Sequence, residues 1–479
     1  MYTNYSCYQP YGMVPESVKE LFIQSVLSEQ IDLRRTVRRK EKSSFIVSVA
    51  KIMTCKCLLV LKRDRFIFCY NGRIYVKTDK NALITYLREL CECICPLFEG
   101  LNINAGFISL LSKEIFQLAG FAVIPPDISN YIVFQNCILN LCTMTPEPFR
   151  PGFFVTSMVN ACWNNSIFGA DFRYCPAFFT MMNSYSGGDI LLLYRMLESY
   201  GLQLTNDPVK VLLCYQGVSN SGKSTMQNFI TGLINQDVVL PITTREFTRL
   251  HGPVKFYGKS LAVINDMPDR PLNEEETAFL KQISGSNPIG MEQKHQDGNI
   301  FFKPNTHVVL TSNYSIEPEV YDHAFSNRKV VIPFPYPVSN AVRMDNILAV
   351  LETEKDAIVN ILVKAYLNLR RNNYIFSGTG SWYDTYIPEN GGRNIGTPEQ
   401  RFIRQNCIRT DNADDRIFAQ ELADEFNRYT YINSLPMSTN PQIISHALRT
   451  VYPDIVSRKT RITPDGNPQC CFTGIRWAQ

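Results

Sequence analysis

One stretch, Gly217-Val218-Ser219-Asn220-Ser221-Gly222-Lys223-Ser224-Thr225, constrains this chain more than any other. It satisfies G-x4-G-K-[ST] in full, and its flanks are those the motif needs. An apolar run from Val211 to Tyr215 leads in as a strand. Behind it, Met226, Phe229, Ile230, Leu233 and Ile234 share one face of a helix. Glycines let successive backbone N–H groups wrap a chain of phosphates, and the helix N-terminus adds its dipole. The expected roles follow. Residues 217–225 cup the phosphates of ATP or another NTP, Lys223 neutralises the β/γ oxygens, and the Ser224 hydroxyl ligates Mg2+. A chance glycine-rich turn would carry neither the strand nor the helix.

A phosphate loop alone does not separate a kinase from a GTPase or a motor, so the segments after it matter. Gly258-Lys259-Ser260-Leu261-Ala262-Val263-Ile264-Asn265-Asp266 reads as a buried strand ending in a carboxylate, suited to the metal or the attacking water. Thr306-His307-Val308-Val309-Leu310-Thr311-Ser312-Asn313 is a second such strand, and its terminal amide suits the γ-phosphate or the water. Either ending alone is also what a plain turn would use. Arg328 precedes a third apolar strand, Lys329 to Phe334. From there an arginine can serve a neighbouring subunit's nucleotide, or merely cap a strand.

Composition sets the outer bounds. Hydrophobic residues make up 45% of the chain and charged residues 19%, which excludes a disordered polymer. The net charge of +4 is too small to argue for nucleic acid by itself, so any basic surface has to be local. The 15 cysteines are odd in number and mostly scattered singly, the usage of free thiols in an intracellular, reducing compartment. Cys55/Cys57 and Cys91/Cys93/Cys95 have one-residue gaps where zinc sites use two to four, which favours core thiols over a metal site. No signal-peptide pattern opens the chain, and no run of about 18 apolar residues predicts a membrane span.

The 479 residues suggest about three domains. Residues 1–190 are expected to be mainly helical, with a basic run Arg34–Lys42 on a solvated face and a hairpin over 66–76 turning at Asn71-Gly72. Residues 191–345 form the α/β motor. Residues 346–398 hold a helix over 353–371, with Ile358, Ile361, Leu362, Ala365 and Leu369 on one face, and a Gly/Ser/Pro/Asn-rich linker over 377–398. Residues 399–479 have two helical stretches, Phe418–Tyr429 and Pro441–Val451, and a wing over Gln469–Trp477. The basic stretch Arg458-Lys459-Thr460-Arg461 is either a contact to the DNA backbone or a charged loop.

Taken together, the sequence resembles the helicase half of phage/plasmid- and poxvirus-type primase–helicases, in superfamily 3 of the AAA+ ATPases. Besides the motor motifs, Phe134-Gln135-Asn136-Cys137-Ile138-Leu139-Asn140-Leu141 resembles a segment that precedes the family's motor, with Cys137 where a glycine is usual. Tyr174-Cys175-Pro176-Ala177-Phe178, Leu197-Glu198-Ser199-Tyr200-Gly201 and the ending Phe472-Thr473-Gly474-Ile475-Arg476-Trp477 resemble the family as well. The resemblance covers roughly residues 60–479. It implies an α/β fold: an AAA+ P-loop NTPase core behind a collar-like, mainly helical N-terminal region, with a winged-helix-like C-terminal domain. It implies a homo-hexameric ring that pulls itself along single-stranded DNA, in the 3′ to 5′ direction, for a virus, phage or plasmid-like element. Lys223, Asp266, Asn313 and Arg328 would be catalytic, with Ser224 and Asp266 on the metal. Lys294 and His295 would lie on a hairpin that grips DNA. The family often has two acids or a Glu where this chain has Asn265-Asp266, which leaves the water-activating base open, with Asp269 as a candidate. The first ~60 residues are too short for a polymerising domain, so priming is expected from a separate primase or polymerase. A nucleotide-dependent origin-binding initiator or switch that does not unwind is the alternative.

Overall fold

The computed structural model describes residues 14–29, 41–64, 66–98, 101–118, 128–167, 172–247, 252–285, 288–291, 300–338, 346–381, 383–384, 386, 388, 399, 402–403, 406–410, 412, 414–432, 441–460 and 468–477. Near the N-terminus, helices α1 (Glu16–Ser28), α2 (Glu41–Lys51), α3 (Lys80–Ile94) and α4 (Ala105–Leu118) pack with an antiparallel sheet of β1 (Val60–Arg63), β2 (Phe66–Tyr70) and β3 (Tyr75–Thr78). A second antiparallel sheet follows, β4 (Tyr131–Val133), β5 (Ile138–Asn140) and β6 (Thr145–Glu147). The region expected to be mainly helical therefore also contains two small sheets.

The hairpin turns one residue later than expected. Tyr70 pairs with Tyr75, and the Asn71 N–H donates to the Ile74 carbonyl at 3.0 Å, so Gly72-Arg73 is the two-residue loop. Gly72, at φ +91°, occupies the first loop position, where a positive φ is needed. Asn71 instead accepts the Ile74 N–H on its side chain at 2.9 Å. Cys57 and Cys91 are buried in this N-terminal core, whereas Cys93 bonds back to the Leu90 carbonyl of its own helix and Cys55 is exposed.

The central sheet has five parallel strands: β7 (Leu212–Gly217), β8 (Val239–Pro241), β9 (Leu261–Ile264), β12 (His307–Ser312) and β13 (Lys329–Phe334), in the order β13-β7-β12-β9-β8. A short antiparallel pair, β10 (Ile289–Met291) and β11 (Ile300–Phe302), is inserted before β12. The helices of this region are α5 (Pro176–Ser186), α6 (Ile190–Gln203), α7 (Lys223–Gly232), α8 (Thr244–Phe247), α9 (Glu274–Ile283), α10 (His323–Ser326) and α11 (Ile347–Arg371). A parallel sheet covered on both faces needs apolar side chains at successive positions, and the strands supply them. Leu213, Tyr215, Val263 and Val309 point into the core with α5, α6, α7 and α11. Leu212, Cys214, Ile264 and Leu310 point the other way, into a core shared with α9 and the N-terminal helices. Ile358, Ile361, Leu362, Ala365 and Leu369 of α11 are buried together against α6, as their spacing predicts.

The segment after α11, read as linker, is anchored in its first part. Arg195 of α6, 1% exposed, pairs with Asp384 at 2.5 Å, and Glu198 accepts both the backbone and the hydroxyl of Ser377 at 2.8 and 2.7 Å. Beyond it, β14 (Cys407–Arg409), β15 (Arg416–Phe418), α12 (Ala419–Ile432), α13 (Pro441–Val451), β16 (Val456–Thr460), β17 (Gln469–Thr473) and β18 (Ile475–Trp477) enclose a small core of their own around Ile417, Leu422, Phe426, Leu448 and Phe472. Arg458 and Lys459 lie exposed on β16, a paired strand rather than a loop, while Arg461 is outside the described residues. Among the described residues no helix is long and apolar enough to cross a membrane.

Candidate nucleotide site

The strands of the central sheet all run the same way, so their carboxyl ends form one edge, where ligands of open parallel sheets bind. Gly217 ends β7 on that edge. A Cβ there would lie 2.1 Å from the Phe334 carbonyl oxygen, so only glycine lets β7 and β13 approach this closely. The chain then turns through positive φ at Asn220 (+59°) and Gly222 (+88°) before α7 starts at Lys223. Left-handed conformations alternating with right-handed ones point consecutive N–H groups inward, the arrangement that binds anions. A Cβ on Gly222 would lie 2.3 Å from the Tyr185 ring, so this aromatic of α5 supports the loop from below.

Lys223 is 7% exposed. Its ammonium donates to the Gly217 and Val218 carbonyls at 2.9 and 2.8 Å, to Ser221 Oγ at 3.1 Å and to Asn313 Oδ1 at 2.9 Å. Burial pushes the ammonium down to about 8, and the nearby Asp266 carboxylate opposes that shift. Ser224, next on α7, is exposed at the mouth of the loop.

Asn313 and Asp266 reach the same edge from β12 and β9. Ser312 pairs with Gln216, and Leu310 with both Cys214 and Ile264, so Gly217, Asn313 and Asp266 fall within about one residue of each other in register. The turn that presents Asp266 is held by β12. The Asp266 N–H donates to Thr311 Oγ1 at 3.2 Å, and that hydroxyl donates to Asn265 Oδ1 at 3.3 Å. Asp266 has φ +53°, which a short polar side chain tolerates better than most. Its carboxylate is exposed. Asp269 is partly buried, and its Oδ1 has no hydrogen-bond partner among the described residues. Arg270 beside it is held by Glu276 through two bonds of 2.7 Å.

Arg328 lies elsewhere. Its carbonyl accepts the Leu212 N–H at 2.7 Å, at the amino end of β7, and its side chain bonds the Ala324 carbonyl of α10. Six residue steps along the strand separate it from Phe334, which pairs with Gly217. At about 3.3 Å per residue that is about 20 Å from the loop of its own chain. The structure thus brings Lys223, Ser224, Asn313 and Asp266 to one edge and leaves Arg328 at the opposite edge. Lys294 and His295 lie outside the described residues.

Sequence reasoning missed the polar contacts beneath the loop. Tyr215 Oη meets Ser199 Oγ and Gln203 Nε2, each at 2.8 Å, and Gln227 of α7 donates to Gln203 Oε1 at 2.8 Å. Ser199 and Gln203, four residues apart on the apolar face of α6, were the available signal. His307 is a buried structural residue on Thr205, pushed down to about 4 by desolvation.

The span from β7 to Arg328 is also where a known family appears. Residues 215–328 match DUF5906, a family of unknown function. No curated protein matches the chain. Among solved structures, the apo structure of the NrS-1 C-terminal region (305–718) aligns at TM-score 0.49 and 12% identity, covering 91% of this chain and 99% of that one. An A-form apo structure of the same region aligns at 0.46 and 11%, covering 87% and 96%.

Proposed function

We propose that this chain is the AAA+ motor of an NTP-driven replicative DNA helicase. It would work as a ring of six on single-stranded DNA, for a virus, phage or plasmid-like element. One observation carries the reading: a buried lysine on a glycine-rich loop shares its ammonium with the amide that ends one neighbouring strand and feels the carboxylate that ends the next. In this reading the loop binds ATP or another NTP, Ser224 and Asp266 hold Mg2+, and Asn313 orients the water. When the γ-phosphate binds, Lys223 exchanges its loop carbonyls for phosphate oxygens. Arg328, about 20 Å from its own loop, would complete a neighbour's site, which makes hydrolysis depend on a ring. The exposed Arg458 and Lys459 strand suits a phosphate backbone.

A second reading, a nucleotide-dependent origin-binding initiator or switch, is favoured by the single acid in Asn265-Asp266 at the end of β9. Strand displacement on a forked DNA with ATP and magnesium separates the two. The helicase displaces the strand, and Lys223→Ala abolishes both hydrolysis and displacement. Hydrolysis with no displacement would transfer the assignment to the switch.

A further inference from the structure

The loop fixes where a triphosphate lies, and the sheet order fixes which way the rest of the nucleotide points. Asn313 and Asp266, the groups suited to the γ-phosphate end, stand on β12 and β9, on one side of β7. The nucleoside must then extend to the other side, where the neighbouring strand among the described residues is β13. Strands lie about 4.8 Å apart, so β12 to β13 spans about 10 Å, a distance a ribose triphosphate can bridge.

The exit of β13 is built against the loop on that side. The Val218 N–H donates to the Phe334 carbonyl at 3.1 Å, and the Val338 N–H donates to the Asn220 carbonyl at 2.9 Å. Between these two ties stands Tyr336, which is 46% exposed. Its ring lies on the backbone of Gly187 in the α5–α6 turn, where a Cβ would sit 2.2 Å from Tyr336 Cε2. Gly187 is the left-handed C-cap of α5 at φ +61°. Beside it Gly188, at φ +81°, has open space in the Cβ direction. An aromatic ring is thus held on a glycine floor at the rim of the phosphate loop, with nearly half its surface open to solvent.

We propose that Tyr336 is the nucleobase platform of this site, stacking on the base of a nucleoside triphosphate whose phosphates occupy residues 217–224. Every base has a π-face, so stacking tolerates any of them. The substrate class is therefore nucleoside triphosphates with little discrimination between bases. This inference rests on the nucleotide-site reading of the loop, and the test separates the two. Full-length wild type, Tyr336→Ala and Tyr336→Phe are titrated with magnesium-bound non-hydrolysable ATP and GTP analogues and with inorganic tripolyphosphate. Loss of the platform should weaken both nucleotides about tenfold and leave tripolyphosphate unchanged, and phenylalanine should restore the wild-type values. Unchanged nucleotide affinity in Tyr336→Ala, or an equal loss for tripolyphosphate, would overturn the platform and leave the loop assignment standing. A preference for one base of more than about a hundredfold in wild type would overturn the edge-blind specificity. Failure of wild type to bind either nucleotides or tripolyphosphate would remove the loop assignment and the platform together.

Discussion

Raising the pH should weaken nucleotide binding far earlier than the chemistry of an ordinary lysine would allow. Burial among the loop carbonyls brings Lys223 down to about 8 in the nucleotide-free protein, while phosphate binding favours the charged form. Below about 8 the ammonium is already charged and affinity is flat. Above it, each binding event must first take up a proton. The apparent dissociation constant then scales as one plus ten to the power of pH minus pKa, which predicts about a tenfold rise between pH 7 and 9. An unperturbed lysine, near 10.4, would change it by about 4% over the same range. The assay is a titration with a magnesium-bound non-hydrolysable nucleotide at pH 7, 8 and 9. Lys223→Arg serves as control, since guanidinium stays charged throughout. Calorimetry in buffers of different ionisation heat should show uptake of about half a proton per nucleotide at pH 8. A flat wild-type profile, or an arginine variant that falls in parallel, would refute the reasoning. Stability without nucleotide moves the opposite way. The unfolded chain binds more protons than the folded one between about 8 and 10.5, so the Lys223 contribution to stability rises with pH across that window.

Arg328→Ala should bind nucleotide normally and lose hydrolysis, and mixing it with Lys223→Ala subunits should restore part of the activity; normal hydrolysis by Arg328→Ala alone would discard the trans assignment. Gly217→Ala would drive a methyl group to 2.1 Å from a backbone carbonyl that cannot swing away. It should cost about 2 kcal/mol or more in urea unfolding and abolish nucleotide binding, and an unaltered midpoint would show that β7 and β13 are free to separate.

What could be read from the chain depended on how far apart the interacting parts lie in it. The phosphate loop is local chemistry, so strand, glycines, lysine and helix were legible together in residues 211–234. The endings at Asp266 and Asn313 were legible as strand termini. That β12 inserts between β7 and β9, which is what brings Asn313 onto the lysine, depends on pairing across about a hundred residues and leaves no mark in periodicity. The hairpin shows the same limit at short range. Asn71-Gly72 signalled a turn, but the Asn71–Ile74 pairing moved the loop by one residue. The anchored segment was misread because Ser377, Gly378 and Gly380 have linker composition. The warning was on α6, where Arg195 and Glu198 sit among apolar residues and therefore require partners when buried.

These features meet on α6, which has more than a packing role. One side of it holds the buried hydroxyls and amides of Ser199 and Gln203, bonded to Tyr215 directly beneath the loop and to Gln227 one turn into α7. Along the same helix, Arg195 and Glu198 hold Asp384 and Ser377, at the start of the chain that leads to the C-terminal unit. Hydrogen bonds among buried groups are costly to break singly, because each orphaned partner loses its solvation as well. If nucleotide binds as proposed, a displacement of β7 or α7 would therefore be cheaper to pass to α6 as a rigid body than to absorb within the network. The Glu198 and Arg195 contacts would then carry it to Ser377 and Asp384. In the proposed ring, with Arg328 completing a neighbour's site, that linkage would give one site's nucleotide state a mechanical route into its own C-terminal unit without crossing the shared interface.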